Sequence, residues 1–138
     1  MANVYRTFAH GTSREYAEAI IAAGLNEAAA RRASRGGTAS RPGAFHTYEI
    51  GLPEHPGPGF QMSYEFGLRH SYRPVIIVGR VSSSVIRQLI TQEQILIQPT
   101  PDGGDYPDVP SQTVFLPETF PLLNREMQWQ IVEMYHHR

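Results

Sequence analysis

The segment VYRTFAHGTSRE, residues 4–15, decides how the chain begins to fold. Its first five residues alternate well enough between side-chain types to predict a short strand over 4–8. Thr12 is followed three positions later by Glu15, a capping-box pattern that predicts the start of a helix. His10 therefore stands where a strand ends and a helix begins. Side chains at such a junction project beyond the sheet edge, where backbone amides at the helix start favour hydrogen bonds to a ligand.

Beyond this segment, the hydrophobic pattern alternates between helical and extended stretches. The first helix is expected to end at Gly24. The run 74–79 is apolar on both faces, which predicts an internal strand. We therefore expect an α+β fold over 1–138, a single domain with a small, mostly antiparallel sheet and flanking helices. Further helices are predicted over 26–33, 60–69, 85–90 and 124–135, strands over 44–50, 94–98 and 113–116, and loops over 35–42, 52–59 and 100–111.

Composition excludes several classes of protein. The 138 residues suit one domain, and the absence of cysteine excludes disulfides, thiolate zinc sites and a cysteine nucleophile. A formal net charge of -1 gives no indication of bulk electrostatic capture of nucleic acid or membrane. No apolar run approaches the roughly 18 residues of a membrane span, and the N-terminus lacks the apolar core of a signal peptide. We expect a cytoplasmic protein, or an effector secreted without a recognisable signal peptide.

Four short motifs follow one another along the chain. His10-Gly11-Thr12 closes the first predicted strand, and a glycine there lets a backbone or a flat ligand approach closely. The other three are Gly43-Ala44-Phe45-His46-Thr47-Tyr48 in the second predicted strand, Gln61-Met62-Ser63-Tyr64 in a predicted helix, and Ser111-Gln112-Thr113 at the start of a late strand.

In this order the motifs resemble the ADP-ribosyltransferase superfamily, in the branch of the poly(ADP-ribose) polymerases and small bacterial toxin domains. The resemblance spans about Phe8 to about Leu123. It implies an ADP-ribosyltransferase-like fold with a split sheet, and an NAD-dependent mono-ADP-ribosyltransferase or NAD glycohydrolase. NAD is then the co-substrate, no metal is needed, and a toxin or effector role is implied.

The resemblance also implies roles for individual residues. His10 and Gly11 would anchor NAD, Tyr64 would stack on the nicotinamide ring, and Gln112 would orient the ribose. Phe45 and His46 would line the cleft. The expected catalytic set is His10, Phe45, His46 and Gln112, and the expected NAD-binding set is His10, Gly11, Thr12, Tyr48, Gln61 and Tyr64.

Two positions depart from the pattern of that family. Phe45 stands where the family has a tyrosine, which leaves His46 or Tyr48 as candidates for the polar role. Gln112 stands where the family has a glutamate. An amide can hydrogen-bond the ribose 2′-hydroxyl, but it supplies no charge to stabilise the transition state. Polymer extension is therefore not expected.

Alternatives to this function remain open. A non-catalytic NAD or ADP-ribose binding module would explain Phe45 and Gln112. An RNA 2′-phosphotransferase-like enzyme also carries a His-Gly-Thr strand and consumes NAD, but it would need further basic residues. The acceptor could be a protein, a nucleic acid or a small molecule. A toxin domain would have an inhibitor or immunity protein as partner, and no membrane partner is expected.

Overall fold

The computed structural model describes residues 4–33, 41–51, 57–69, 71–98 and 111–133. Within these residues it contains six strands, five α-helices and one 3-10 turn, which confirms the expected α+β class. Most of each predicted loop lies outside the described residues. The elements are β1 Tyr5–Thr12, α1 Arg14–Ala23, α2 Glu27–Ala33, β2 Phe45–Ile50, α3 Pro58–Gly67, β3 Val75–Ser82, α4 Ser83–Thr91, β4 Ile95–Gln98, β5 Gln112–Phe115, the turn Pro117–Thr119, α5 Phe120–Glu126 and β6 Gln128–Val132.

The six described strands form one open antiparallel sheet in the order β4-β5-β2-β1-β3-β6. β3 lies between β1 and β6, so the internal position predicted from its apolar sequence is confirmed. The sheet divides along β2. Its first half, 45–47, pairs with β5, whereas its second half, 48–50, pairs with β1.

The division of the sheet leaves a gap between β1 and β2. Their register runs from Thr7–Ile50 to Ala9–Tyr48 and goes no further. β1 nevertheless continues to pair with β3 as far as Thr12. The end of β1 and the start of β2 therefore separate, and the gap lies beside His10.

Hydrophobic side chains pack against both faces of the sheet. Neighbouring residues of one strand point to opposite faces, and the two core clusters follow this rule. Phe8 belongs to the larger cluster, with residues of α1, α4 and α5, whereas the adjacent Ala9 belongs to a smaller cluster with Tyr64 of α3 and Ile76. The sheet is thus covered by α3 on one face and by α1, α4 and α5 on the other.

The junction predicted after β1 is present, with its cap one residue later than expected. Ser13, not Thr12, caps α1, and its hydroxyl accepts a hydrogen bond of 3.1 Å from the Tyr16 amide. Thr12 is still part of β1, because it pairs with Val75. At the other end Gly24 has a φ of 84° and donates to the Ile20 carbonyl, so the predicted glycine end of the helix is confirmed.

The prediction of a C-terminal helix over 124–135 is wrong. α5 ends at Glu126, and the chain then enters β6, which pairs with β3. Tertiary pairing overrides the helical pattern here, because β6 covers an edge of β3 that would otherwise be exposed. Gly79 makes this possible: a Cβ at this position would collide with Met127 and Trp129.

We expect Gly11→Ala to destabilise the fold, because its Cβ would overlap the Ser63 carbonyl oxygen and force α3 away from β1. The free energy of unfolding should fall by about 3 kcal/mol, as for other overpacked cores. Chemical denaturation measures it. Gly57→Ala separates overlap from backbone strain, because its φ of 82° strains an alanine whereas the added Cβ meets nothing within 4 Å, so its loss should be the smaller one. Equal losses in the two variants would contradict the close packing of α3 on β1.

Candidate functional site

A cavity lies where β1 and β2 separate, and residues from both faces of the sheet line it. β1, β2 and β5 provide the wall within the sheet. On one face α1 contributes Tyr16. Helix α2 adds Ala30 and Ala33 to the wall. On the other face α3 contributes Ser63 and Phe66. The separation of two strands thus produces a concave site that reaches from one helical layer to the other.

Most of the residues singled out from the sequence meet in this cavity although they lie far apart along the chain. They come from the end of β1, the first half of β2 and the start of β5. Phe45 and His46 were expected to line the cleft, and they do. The predicted residues in the lining are His10, Gly11, Thr12, Phe45, His46, Tyr48 and Gln112.

Two predicted site residues lie elsewhere. Tyr64 is buried in the smaller core cluster with Ala9 and Ile76, and it does not line the cavity. Gln61 is exposed and donates to the Glu65 carboxylate over 3.2 Å. The structure therefore does not bring either side chain into the group formed by the other predicted residues.

The rotation of α3 about its own axis explains why Ser63 lines the cavity and the adjacent Tyr64 lies in the core. The Ser63 hydroxyl lies 3.2 Å from the Ala9 carbonyl oxygen and 2.8 Å from the Gly59 carbonyl oxygen. Small residues recur every four positions along this face, at Gly59, Ser63 and Gly67, and allow a close approach to the sheet. This spacing was visible in the sequence, and it could have placed Ser63 on the inner face of the helix.

His10 bridges the gap between the separated strands. Its Nδ1 lies 2.6 Å from the His46 carbonyl oxygen, so the ring carries a proton there and donates it. Its ring packs against Phe45, with centroids 4.7 Å apart, and lies 6.1 Å from Tyr16. Phe45 is itself held in the core against Trp129. Burial of Phe45 thus fixes the position of the histidine.

Gln112 is held by neutral partners. It is 5% exposed, and its Nε2 lies 3.5 Å from the Tyr48 hydroxyl, while its Oε1 accepts from Gln98 over 3.4 Å. Tyr48 is also buried, with its ring 5.9 Å from that of Phe66. Tyr48 and Phe66 therefore bring aromatic surface to the cavity, a role that the sequence had suggested for Tyr64.

Two polar atoms of the lining residues have no hydrogen-bond partner among the described residues, the Tyr16 hydroxyl and His46 Nε2. Burial raises the pKa of Tyr16 from 10.0 to about 12, and the nearby positive charge of Arg32 opposes this shift. Burial lowers the pKa of His46 below its ordinary 6.5, and a hydrogen bond to the backbone of Ala44 opposes that shift. Both side chains are therefore neutral at pH 7. Unpaired buried polar groups are rare, and both of these belong to residues that line the cavity.

The described lining of the cavity has no permanently charged side chain. Among the described residues of the cavity wall there is no Asp, Glu, Lys or Arg. Across the described ranges, no group of three or more His, Asp or Glu side chains is placed to hold a metal ion. His136 and His137, near the C-terminus, lie outside those ranges. The chemistry of the cavity is thus that of imidazole, hydroxyl and amide groups.

Comparisons with family models, curated proteins and solved structures find no match for this chain. Within the described residues, the helices are all too short or too polar to cross a membrane. A functional assignment therefore depends on the geometry of the cavity and on the motifs that form it.

We expect Tyr16→Phe to leave the free energy of unfolding at pH 7 unchanged or to raise it by about 1 kcal/mol, because the substitution removes an unpaired buried hydroxyl. Because the folded state raises the pKa of Tyr16, wild type should lose stability as pH rises from 10.0 towards about 12. The variant should lack that part of the loss. Urea denaturation at neutral and alkaline pH measures both effects. Destabilisation by Tyr16→Phe at pH 7 would show that the hydroxyl has a stabilising partner.

Proposed function

We propose that the chain is an NAD-dependent mono-ADP-ribosyltransferase that acts as an NAD glycohydrolase when no acceptor is present. The observation that supports this best is the cavity at the divided sheet. It gathers His10, His46 and Gln112 from three strands that are distant in sequence. Four short motifs suggested the family separately, and each of them contributes at least one residue to this cavity.

The neutral polar groups of the cavity suit the uncharged parts of NAD. Its ribose hydroxyls and its carboxamide both donate and accept hydrogen bonds, as do Thr12, Tyr48 and Gln112. The unpaired Tyr16 hydroxyl and His46 Nε2 could be satisfied by the same kind of group. When bound, NAD supplies a ribosyl carbon whose bond to nicotinamide is broken in the transfer.

The position of each residue in the cavity suggests which part of NAD it would bind. His10 and Gly11, at the end of β1, would anchor NAD at the edge of the gap. Because Tyr64 lies outside the cavity, the aromatic surface that stacks on nicotinamide is assigned to Tyr48 and Phe66. Gln112 would orient the ribose through its amide. Holding the reactants in a fixed orientation supplies much of the rate acceleration in such a reaction.

A non-catalytic NAD or ADP-ribose binding module is the second candidate. The neutral surroundings of Gln112 favour it, because an amide between Gln98 and Tyr48 supplies no negative charge to a transition state. Release of nicotinamide from NAD distinguishes the enzyme from the binding module. The RNA 2′-phosphotransferase alternative gains no support from the described lining, which contains no Arg. The acceptor, a toxin or effector role and an immunity protein as partner remain proposals.

NAD should raise the melting temperature of the protein, because a ligand that binds the native state stabilises it by mass action. His10→Ala should remove most of this shift, since the ring lies in the cavity wall and bridges the two strands. Thermal denaturation with and without NAD measures the shift for each variant against its own baseline. Gln88→Ala, at an exposed position on α4, is the control and should keep the shift. A full shift in His10→Ala would place the NAD site elsewhere.

Gln112→Ala should lower turnover of NAD by about tenfold to a thousandfold, the cost of losing a transition-state hydrogen bond. NAD affinity should change much less, because the bond strengthens only as charge develops. Gln112→Glu should keep or raise cleavage, because Gln98 and Tyr48 can both donate to a carboxylate at this position. Nicotinamide release measures turnover, with Gln88→Ala as the matched amide-to-alanine control.

The combined outcomes separate the two candidates. A wild type that binds NAD and releases no nicotinamide, together with a Gln112→Glu variant that gains cleavage, supports the binding module. Absence of NAD binding at millimolar concentration in both proteins would exclude enzyme and binding module together.

A further inference from the structure

His46 has a basic nitrogen that the described structure leaves without a partner. The residue is half-buried in the cavity wall, and its Nε2 is buried with no hydrogen bond. Its ring donates a hydrogen bond to the backbone of Ala44, which favours the protonated form. Because Nε2 has no partner, the donating atom is Nδ1. The neutral ring therefore carries its lone pair on Nε2.

We infer that His46 is the general base of the transfer reaction, that it acts through Nε2, and that the acceptor it deprotonates is a neutral hydroxyl group. This inference rests on the proposed function, since it concerns the second substrate of the same cavity. It names the class of acceptor and assigns His46 a chemical role beyond lining the cleft.

The uncharged lining favours a hydroxyl acceptor over an ionic one. A carboxylate acceptor would have no cationic side chain to balance it in the described wall, and a guanidinium acceptor would have no carboxylate. Burying an unpaired charge is costly. A neutral hydroxyl group can enter the cavity without burying a charge, but it is a weak nucleophile until it loses its proton. A base is therefore needed, and the amide of Gln112 cannot serve as one.

The other titratable groups in the wall are less suited to this role. Tyr16 on α1 keeps its proton until its pKa of about 12. His10 on β1 also donates through Nδ1, to the His46 carbonyl, but of the two imidazoles in the described wall only His46 has a buried ring nitrogen without a hydrogen-bond partner. Tyr48 on β2 lies beside Gln112. α2, α3 and β5 add no titratable side chain to the described lining. Arg32 of α2 acts on Tyr16 through its positive charge.

The proposed step is balanced in atoms and electrons. The acceptor O–H bond breaks, and its proton passes to Nε2 of His46. The acceptor oxygen forms a bond to the ribosyl carbon, and the bond from that carbon to the nicotinamide nitrogen breaks. The electron pair of that bond leaves with nicotinamide, which becomes neutral. His46 leaves the step as an imidazolium and returns its proton to solvent.

Methanol and methoxyamine provide a direct test, because both are neutral at pH 7. Methanol must lose its proton as it attacks, whereas methoxyamine attacks through a nitrogen lone pair and loses its proton to solvent afterwards. At neutral pH, His46→Gln should lower formation of methyl ADP-riboside by roughly a hundredfold, the low end for loss of a general base. Formation of the methoxyamine adduct of ADP-ribose should change less than about threefold, because this attack needs no general base. Mass spectrometry quantifies both products, and NAD affinity is measured for each variant.

The pH dependence gives a second readout. In wild type, methanol transfer should fall as pH decreases through the lowered pKa of His46, because the protonated ring cannot accept. His46→Gln should lack this acid limb. Gln88→Ala, at an exposed position on α4 outside the cavity, is the control and should keep the limb.

An NMR titration of the His46 imidazole in the unmodified protein keeps the test decisive if the variant does not fold. Its midpoint should match the kinetic acid limb of wild type. A mismatch, or a His46→Gln variant that loses methoxyamine and methanol transfer equally, overturns the inference while NAD cleavage by wild type still stands. Absence of NAD cleavage in wild type instead overturns the proposed function.

Discussion

The separation of β1 from β2 is the constraint on which the rest of the site depends. The two strands are held together on one side of it by a bidentate pair, in which Arg6 donates to both carboxylate oxygens of Glu49 over 2.7 Å. On the other side, the ladder stops at Ala9 and Tyr48, and the His10 ring bonds to the His46 carbonyl instead. A side chain thus replaces a backbone pair. Because the strands diverge there, residues of β5 and of both helical layers can reach the same space.

Close packing of α3 keeps that gap in place. Three small residues, Gly59, Ser63 and Gly67, let the helix approach the sheet. The Ser63 carbonyl packs against Gly11 of β1, where a Cβ would not fit. Gly11 was singled out from the sequence as a place where a ligand could approach. The structure shows that its missing side chain also makes room for a helix. The same glycine therefore serves the fold as well as the site.

The chemistry of the cavity follows from burying neutral groups together. The amide of Gln112 bonds to Gln98 and Tyr48 without adding a charge to the wall. Burial has opposite consequences for the other two groups. It keeps Tyr16 protonated and His46 unprotonated, so one is a hydroxyl and the other a base at the same pH. Differences of this kind between neighbouring groups are what a proton-transfer reaction requires.

The sequence by itself determined the features that depend on neighbouring residues. The glycine at the end of α1 and the internal strand over 74–79 result from local backbone geometry and from burial on two faces, so they can be predicted. The cap of α1 was predicted one residue too early, at Thr12 instead of Ser13. The resemblance suggested by the order of the motifs also predicted that His10 and Gln112 share a cleft, and both line the cavity. Only the tertiary structure decided that β6 replaces a helix, because Gly79 leaves room for Trp129. The rotation of α3 and the unpaired atoms of Tyr16 and His46 were likewise decided by contacts between distant segments, and no local propensity encodes such contacts.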